Sequence, residues 1–314
     1  MPTLLLSHPA CLKHDTGPHH PERPERYLAV QKELEQPRFG GLVRAEAPKV
    51  ELATLELVHP ASYIEFIREA EPAIPQAPRI HIDSDTVMSH GSFEAALRAA
   101  GGAVEAVDQV MSGKCANAFV ATRPPGHHCG FESTEGFCLF SNAAIAAKHA
   151  QSKHGAERVA IVDFDVHHGN GTQEVLWDEP NLFYASTHQM PLYPGTGSLR
   201  ETGAHDNICN APLNAGDGGR HIREAFDSRI LPALRNFGFD LLIISAGFDA
   251  HRDDPLGGLE LVEDDFAALT YKLVDMAISR ANGRVVSVLE GGYDLGGLSR
   301  SVAAHVGVLM EAAA

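Results

Sequence analysis

The chain has 314 residues, 44% hydrophobic and 21% charged, with a formal net charge of −16. This is enough to bury a sizeable core, as one large α/β domain or two small ones, and there is no disordered signature. A chain this acidic repels phosphate, which argues against bare nucleic acid and anionic membrane surfaces as partners; its charge suits either plain solubility or attraction of cationic substrates. Met1 to Ala10 holds a short apolar run, Leu4 to Leu6, with no basic segment before it, and does not read as a signal peptide. No apolar run approaches the roughly 18 residues of a membrane span. Cys11, Cys115, Cys129, Cys138 and Cys209 are scattered and odd in number, without a C-x-x-C pair. They read as reduced thiols in a cytoplasmic setting, not as a disulfide framework or a cysteine zinc site.

Further along, Glu71 to Pro78 (EPAIPQAP) is a proline-rich loop, and Asp83 and Asp85 follow in a second loop. Phe93, Leu97, Ala100, Val104, Val107 and Met111 then recur at helical spacing. From Asn117 a pattern repeats: a short apolar run, a loop rich in Gly, His or Asp, then a helical stretch. The runs are Ala118 to Thr122, Val159 to Val166, Leu182 to Ser186, Leu241 to Ser245 and Val285 to Leu289. Runs of this kind read as strands buried on both faces of a parallel sheet. Phe266, Leu269, Leu273, Met276 and Ala277 mark another amphipathic helix. The expectation is an α/β fold, one domain over residues 1–314, with helices on both faces of the sheet. Ligands of such sheets bind at the carboxyl ends of the strands, where all five polar loops would converge.

The central loop is DFDVHHGNGT, Asp163 to Thr172. If the strand continues, Asp163, Asp165 and His167 face one way, and buried carboxylates need a partner or a metal. Asp249, in SAGFDAH after another strand, completes a three-ligand set suited to Zn²⁺ with one position left open. Taken singly, Asp249 reads equally as a helix cap or turn residue. In RPPGHH the prolines and Gly126 set a rigid turn that presents His127 and His128, one fit for general-base work and the other for stabilising charge. Adjacent histidines are also common at surfaces. In EGGYD two glycines allow a sharp turn, after which Tyr293 either donates to a developing oxyanion or simply packs.

Together RPPGHH, the Gly136–Phe137–Cys138 triplet, DFDVHHGNGTQ, Ser186–Thr187–His188, PGTG from Pro194, AGFDAHRDDPLGG and EGGYD, with HPERPER from His20, resemble the zinc-dependent histone deacetylase family. HHGNGTQ is similar to the class II branch, which includes bacterial deacetylase-like amidohydrolases and acetylpolyamine amidohydrolases. The resemblance implies the arginase–deacetylase fold, with about eight parallel strands. It implies Asp165, His167 and Asp249 as zinc ligands and His128 as general base and later general acid. His127 would pair with Asp163 and stabilise the transition state, and Tyr293 would polarise the scissile carbonyl. Asn170 would stand behind His128, where the class I branch has an aspartate; a neutral amide leaves the imidazole less basic. Phe137, Tyr193, Leu256, Gly136 and Gly291 would line the substrate tunnel, Tyr193 standing where the family more often has phenylalanine. Asp163, Asp165, His167, Ser186 and Thr187 would form a monovalent-cation site for K⁺.

The implied reaction removes acetyl groups from acetyl-lysine or related amines, in peptides or small molecules. Leu256 occupies the position of the acidic gatekeeper found in eukaryotic acetylpolyamine deacetylases, which favours peptide substrates. An acetylpolyamine deacetylase remains the alternative, with Asp83, Asp85 or a residue from a partner copy in a homo-oligomer supplying the charge. A non-catalytic binding protein of the same fold is a third reading. An Asp–His–Asp set also accepts Fe²⁺ or Co²⁺.

Overall fold

Leu4, Leu5 and Leu6 point to alternate sides of their strand and are all buried, Leu4 and Leu6 in one apolar cluster and Leu5 in the other. The clusters hold 41 buried residues each, so both faces of the sheet are covered. The computed structural model describes residues 1–314. Its elements in chain order are β1 (Thr3–Ser7), α1 (Pro24–Leu34), β2 (Val43–Glu46), α2 (Leu52–Leu55), α3 (Ala61–Glu69), β3 (Ile80–His81) and β4 (Val87–Met88). Next come α4 (Ser92–Met111), β5 (Asn117–Val120), α5 (Asn142–His154), β6 (Val159–Asp163), α6 (Asn170–Leu176), β7 (Leu182–Gln189) and β8 (Ile208–Leu213). The last are α7 (Gly219–Ala225), α8 (Leu231–Phe237), β9 (Leu241–Ala246), α9 (Glu263–Arg280), β10 (Val285–Leu289) and α10 (Leu295–Ala313).

Eight strands form one sheet in the order β2-β1-β5-β10-β9-β6-β7-β8, every pair parallel. β3 and β4 make a separate antiparallel hairpin. The sheet joins Thr3 to Leu289, so distant parts of the chain share one framework. The helices α4 and α5 pack on one face, while α1, α9 and α10 lie on the other. Glu71 to Pro78 is a loop as expected, and Asp83 and Asp85 sit at the turn of the β3–β4 hairpin.

The five predicted strands are β5, β6, β7, β9 and β10, and they are contiguous in space. One boundary differs with consequence. The run expected as Val159 to Val166 leaves the sheet at Asp163, so Asp165 and His167 are not placed by strand alternation. The side chains end the ladder. Asp163 Oδ1 accepts from Asp165 N–H (3.0 Å) and Asp165 Oδ1 accepts from His167 N–H (2.9 Å). Local carboxylate–backbone bonds of this kind compete with the sheet.

Candidate active site

The loops after β5, β6, β9 and β10 meet at the carboxyl end of the sheet. His167 Nδ1 lies 3.1 Å from Asp165 Oδ1 and 3.0 Å from Asp249 Oδ2. Ligand atoms of the three residues all fall within 4.8 Å of one another, and all three residues are buried. Each carboxylate is held from behind: Asp165 Oδ2 accepts from Gly291 N–H (2.8 Å) and Asp249 Oδ1 from Val166 N–H (2.8 Å). Burial lowers the basicity of His167, but the two carboxylates outweigh it and raise its pKa to about 10. Two buried carboxylates facing one imidazole need a positive charge between them. One nitrogen and two oxygen donors fit a divalent zinc-like ion with a coordination position to spare.

His127 and His128 sit where the RPPGHH turn brings them. Glu290 clamps that turn, its Oε2 accepting from Gly126 N–H (2.7 Å) and His127 N–H (3.2 Å). His127 Nδ1 is 3.0 Å from Asp163 Oδ2, which also accepts from the Tyr184 hydroxyl (3.0 Å). Burial disfavours the His127 cation, yet the charges of Asp165 and Asp163 prevail and hold it protonated. His128 goes the other way: burial and the neighbouring His127 and His167 charges push its pKa down. Its Nδ1 lies 2.7 Å from Asn170 Oδ1. The adjacent imidazoles therefore present one charged and one neutral ring, the division of labour that acid–base chemistry needs.

A cavity of about 220 Å³ opens onto this cluster, lined by Asp85, His128, Gly136, Phe137, His167, Leu192, Tyr193, Leu256 and Tyr293. Phe137 meets Tyr293 edge-on at 5.8 Å between ring centroids, and Tyr193 meets His128 at 5.2 Å. Phe137 is held at φ 70° beside Gly136 at φ 53°. Gly136 is required because a Cβ there would sit 2.2 Å from His128 Cδ2. Gly291 is the exception among the expected tunnel residues. It lies one layer back, where a Cβ would fall 2.2 Å from Asp249 Oδ2 and 2.6 Å from Asp165 Oδ2. Its small size lets the backbone press on both carboxylates. Three larger cavities, one beside Asp108 and His149, one beside Trp177 and one beside Gln31 and Arg44, are not lined by His127, His128, His167 or Tyr293.

Ser186 lies in register beside Asp163 across β6–β7, and its hydroxyl bonds His188 Nδ1 (2.8 Å). Thr187 Oγ1 is buried without a hydrogen-bonding partner. A second cluster, Asp108, His149 and His154, has both imidazoles on Asp108 Oδ1 at 2.7 and 2.6 Å. It lies at the carboxyl ends of α4 and α5, the opposite edge of the sheet from the cavity.

Several residues that build the site were not singled out from the sequence. Arg26 donates to the carbonyls of Gly292 (2.6 Å) and Glu290, and its guanidinium lies 4.9 Å from the Tyr293 ring centroid. Asp254 Oδ2 accepts from Tyr293 N–H (2.6 Å) and Asp294 N–H (3.2 Å). Buried Glu22 binds both Arg26 and Arg123. The signal for Glu22 and Arg26 was HPERPER itself, which pairs them at i,i+4 but gives no sign of the distant Arg123.

The histone deacetylase domain family model matches residues 20–309. A histone deacetylase-like amidohydrolase of Pseudomonas aeruginosa is 36% identical over 305 residues, covering 90% of this chain and 79% of that protein. An Archaeoglobus fulgidus protein named probable deacetylase is 39% identical over 303 residues, covering 95% and 83%. The crystal structure of the HDA15 HD domain superposes with a TM-score of 0.92 at 34% identity, covering 99% of this chain and 88% of that one. The chain belongs to the histone deacetylase family, and its eight-stranded parallel sheet with helices on both faces is the arginase–deacetylase fold. Membership supports a deacetylase, a hydrolase of amide bonds.

Proposed function

We propose that the protein is a zinc-dependent hydrolase that removes acetyl groups from acetyl-lysine or related acetylated amines. The carrying observation is the convergence of Asp165, His167 and Asp249 with His128 and Tyr293 at the end of one narrow cavity. Zn²⁺ held by those three residues would supply a Lewis acid for the amide carbonyl and for the attacking water. His128 takes the proton of that water on Nε2, because its Nδ1–H is given to Asn170 Oδ1. Burial, aided by Asp249 and Asp165 against the opposing Arg26, keeps the Tyr293 hydroxyl protonated and able to donate to the carbonyl oxygen. His127, paired with Asp163, adds positive charge beside the developing oxyanion. His128 then returns its proton to the leaving amine, giving free amine and acetate.

Phe137 and Tyr193 would flank the acyl-lysine chain, and Leu256 at the cavity wall favours an apolar stem over a second ammonium. A second reading, an acetylpolyamine deacetylase, draws support from Asp85, whose residue also lines the cavity. Ser186, in register beside Asp163, supports a K⁺ site with Asp163, Asp165, His167 and Thr187. Five unpaired thiols, four of them buried, support a reducing, cytoplasmic compartment. No helix is long and apolar enough to cross a membrane.

The test is kcat/KM for an acetyl-lysine peptide and for an acetylated polyamine, side by side on zinc-loaded enzyme, with Tyr293→Phe as control. Preference for the peptide supports the Leu256 argument, and preference for the polyamine assigns the gate to Asp85 or a partner copy. No turnover of either, with the control equal to wild type, overturns the reading.

A further inference from the structure

An asparagine behind a general base poses a problem that an aspartate does not. The two ends of a carboxamide are nearly identical in shape and opposite in chemistry. With Oδ1 toward His128, the imidazole carries its proton on Nδ1 and leaves Nε2 free to accept one. With the amide reversed, its NH₂ donates to Nδ1, the proton moves to Nε2, and the ring has no basic nitrogen facing the cavity. Something must set the orientation of Asn170.

Asn170 Nδ2 lies 2.7 Å from Glu135 Oε2. A carboxylate only accepts hydrogen bonds, so it takes the NH₂ end of the amide and directs Oδ1 toward His128 Nδ1, 2.7 Å away. Glu135 is itself placed by the backbone. It opens the turn Glu135–Gly136–Phe137–Cys138, closed by Cys138 N–H on Glu135 C=O (3.0 Å), with both central residues at positive φ as in a type I′ turn. Gly136 of this turn presses on the His128 ring, where a Cβ would come within 2.2 Å. One turn therefore contacts the base directly and reaches the residue behind it. We propose that Glu135 is a positioning residue, which fixes the Asn170 carboxamide and through it the productive tautomer of His128. This rests on the assignment of His128 as the general base.

Glu135→Gln tests it without changing shape. A glutamine can accept from Asn170 or donate to it, so either amide orientation is satisfied. We expect kcat to fall by about tenfold, the ratio that one charge-assisted hydrogen bond sustains, with KM within about twofold. In an Asn170→Asp background the sign reverses. A carboxylate in place of the amide accepts from Nδ1–H whichever way it turns, and Glu135→Gln then removes a like charge and raises kcat. NMR of ¹⁵N-histidine-labelled, zinc-loaded protein, with the His128 signals assigned by their loss in His128→Ala, should show Nδ1–H in wild type and mixed tautomers in Glu135→Gln. Equal kcat losses from Glu135→Gln in the wild-type and Asn170→Asp backgrounds, or an unchanged tautomer, would overturn the proposal. So would a rise in KM copied by Tyr193→Phe, which would place the effect in the cavity wall beside Glu135. A wild type with no turnover would count against the deacetylase reading alone, since the tautomer measurement needs no activity.

Discussion

Glu22→Gln removes the one carboxylate from a buried cluster of two guanidinium groups. Glu22 is fully buried; its Oε1 accepts from Arg26 (3.0 Å) and Arg123 (2.7 Å), and its Oε2 from Arg123 (2.6 Å). Burial alone would raise its pKa, but the charges of Arg123 and Arg26 win and hold it at about 2, against an ordinary value of 4.5. That difference corresponds to about 3 kcal/mol. Breaking a buried ion pair costs about 3–5 kcal/mol, because the surviving charges are left uncompensated. We expect the variant to lose stability in that range, seen as a drop in Tm of about 5–8 °C for a chain of this size. A depressed carboxylate pKa stabilises the fold fully above the unfolded value, and this is lost as pH falls through the folded one. The gap between wild type and variant should therefore be complete at pH 7 and narrow below 4.5. Activity should fall as well, since Arg26 also ties down the Gly292 and Glu290 carbonyls and lies against Tyr293. Urea unfolding with parallel kcat measurement decides it. A stability change under about 1 kcal/mol with unchanged kcat would show that the cluster neither stabilises the fold nor supports the tyrosine loop.

Tyr293→Phe removes a single hydroxyl and should lower kcat about 10²–10³-fold, with zinc content and Tm unchanged; retained kcat would refute its role as oxyanion donor. Gly291→Ala places a methyl 2.2 Å from Asp249 Oδ2, so at least one carboxylate must move. Zinc affinity, read by competition with a chromophoric chelator, should fall by about tenfold or more, and an unaltered affinity would contradict the packing argument. Burial holds His14, His168 and His305 neutral, with pKa values of about 3, and His59 and His188 likewise at about 4. Below the unfolded value of 6.5 only the unfolded chain takes up these protons. Stability should thus fall with pH from about 6.5 toward 4, each histidine adding up to about 1.4 kcal/mol per pH unit. Urea midpoints at pH 7 and 5.5 measure this, and equal stability at both would rule it out.

The five central strands were legible because each is covered on both faces, which leaves an unbroken apolar run in the sequence. The outer strands were not. β2, Val-Arg-Ala-Glu, is exposed along its length, and β8 carries Asn210 and Pro212 at the sheet edge, where a missing N–H is tolerated. β1 showed only as a short leucine run, since nothing local says what it pairs with.

The chemical groups were fixed locally: RPPGHH, DFDVHH, AGFD and EGGYD each follow a buried strand, and parallel strands deliver such loops to one edge. The supports of those groups depend on contacts that no local pattern encodes. Glu22 meets Arg123 across 101 positions, Gly291 meets Asp165 across 126, and Glu135 meets Asn170 across 35. Periodicity reports which way a side chain faces relative to its own backbone, so the sequence determined the strands, the polar loops and the kinds of groups they carry. The order in which the crossovers lay β5, β10, β9 and β6 side by side determined which of those groups touch. The charged state of His127 follows from that order, because Asp165 and Asp163 come from β6 and the loop after it and outweigh burial; His128 is kept neutral by burial first, then by the adjacent His127 and by His167 from another strand's loop.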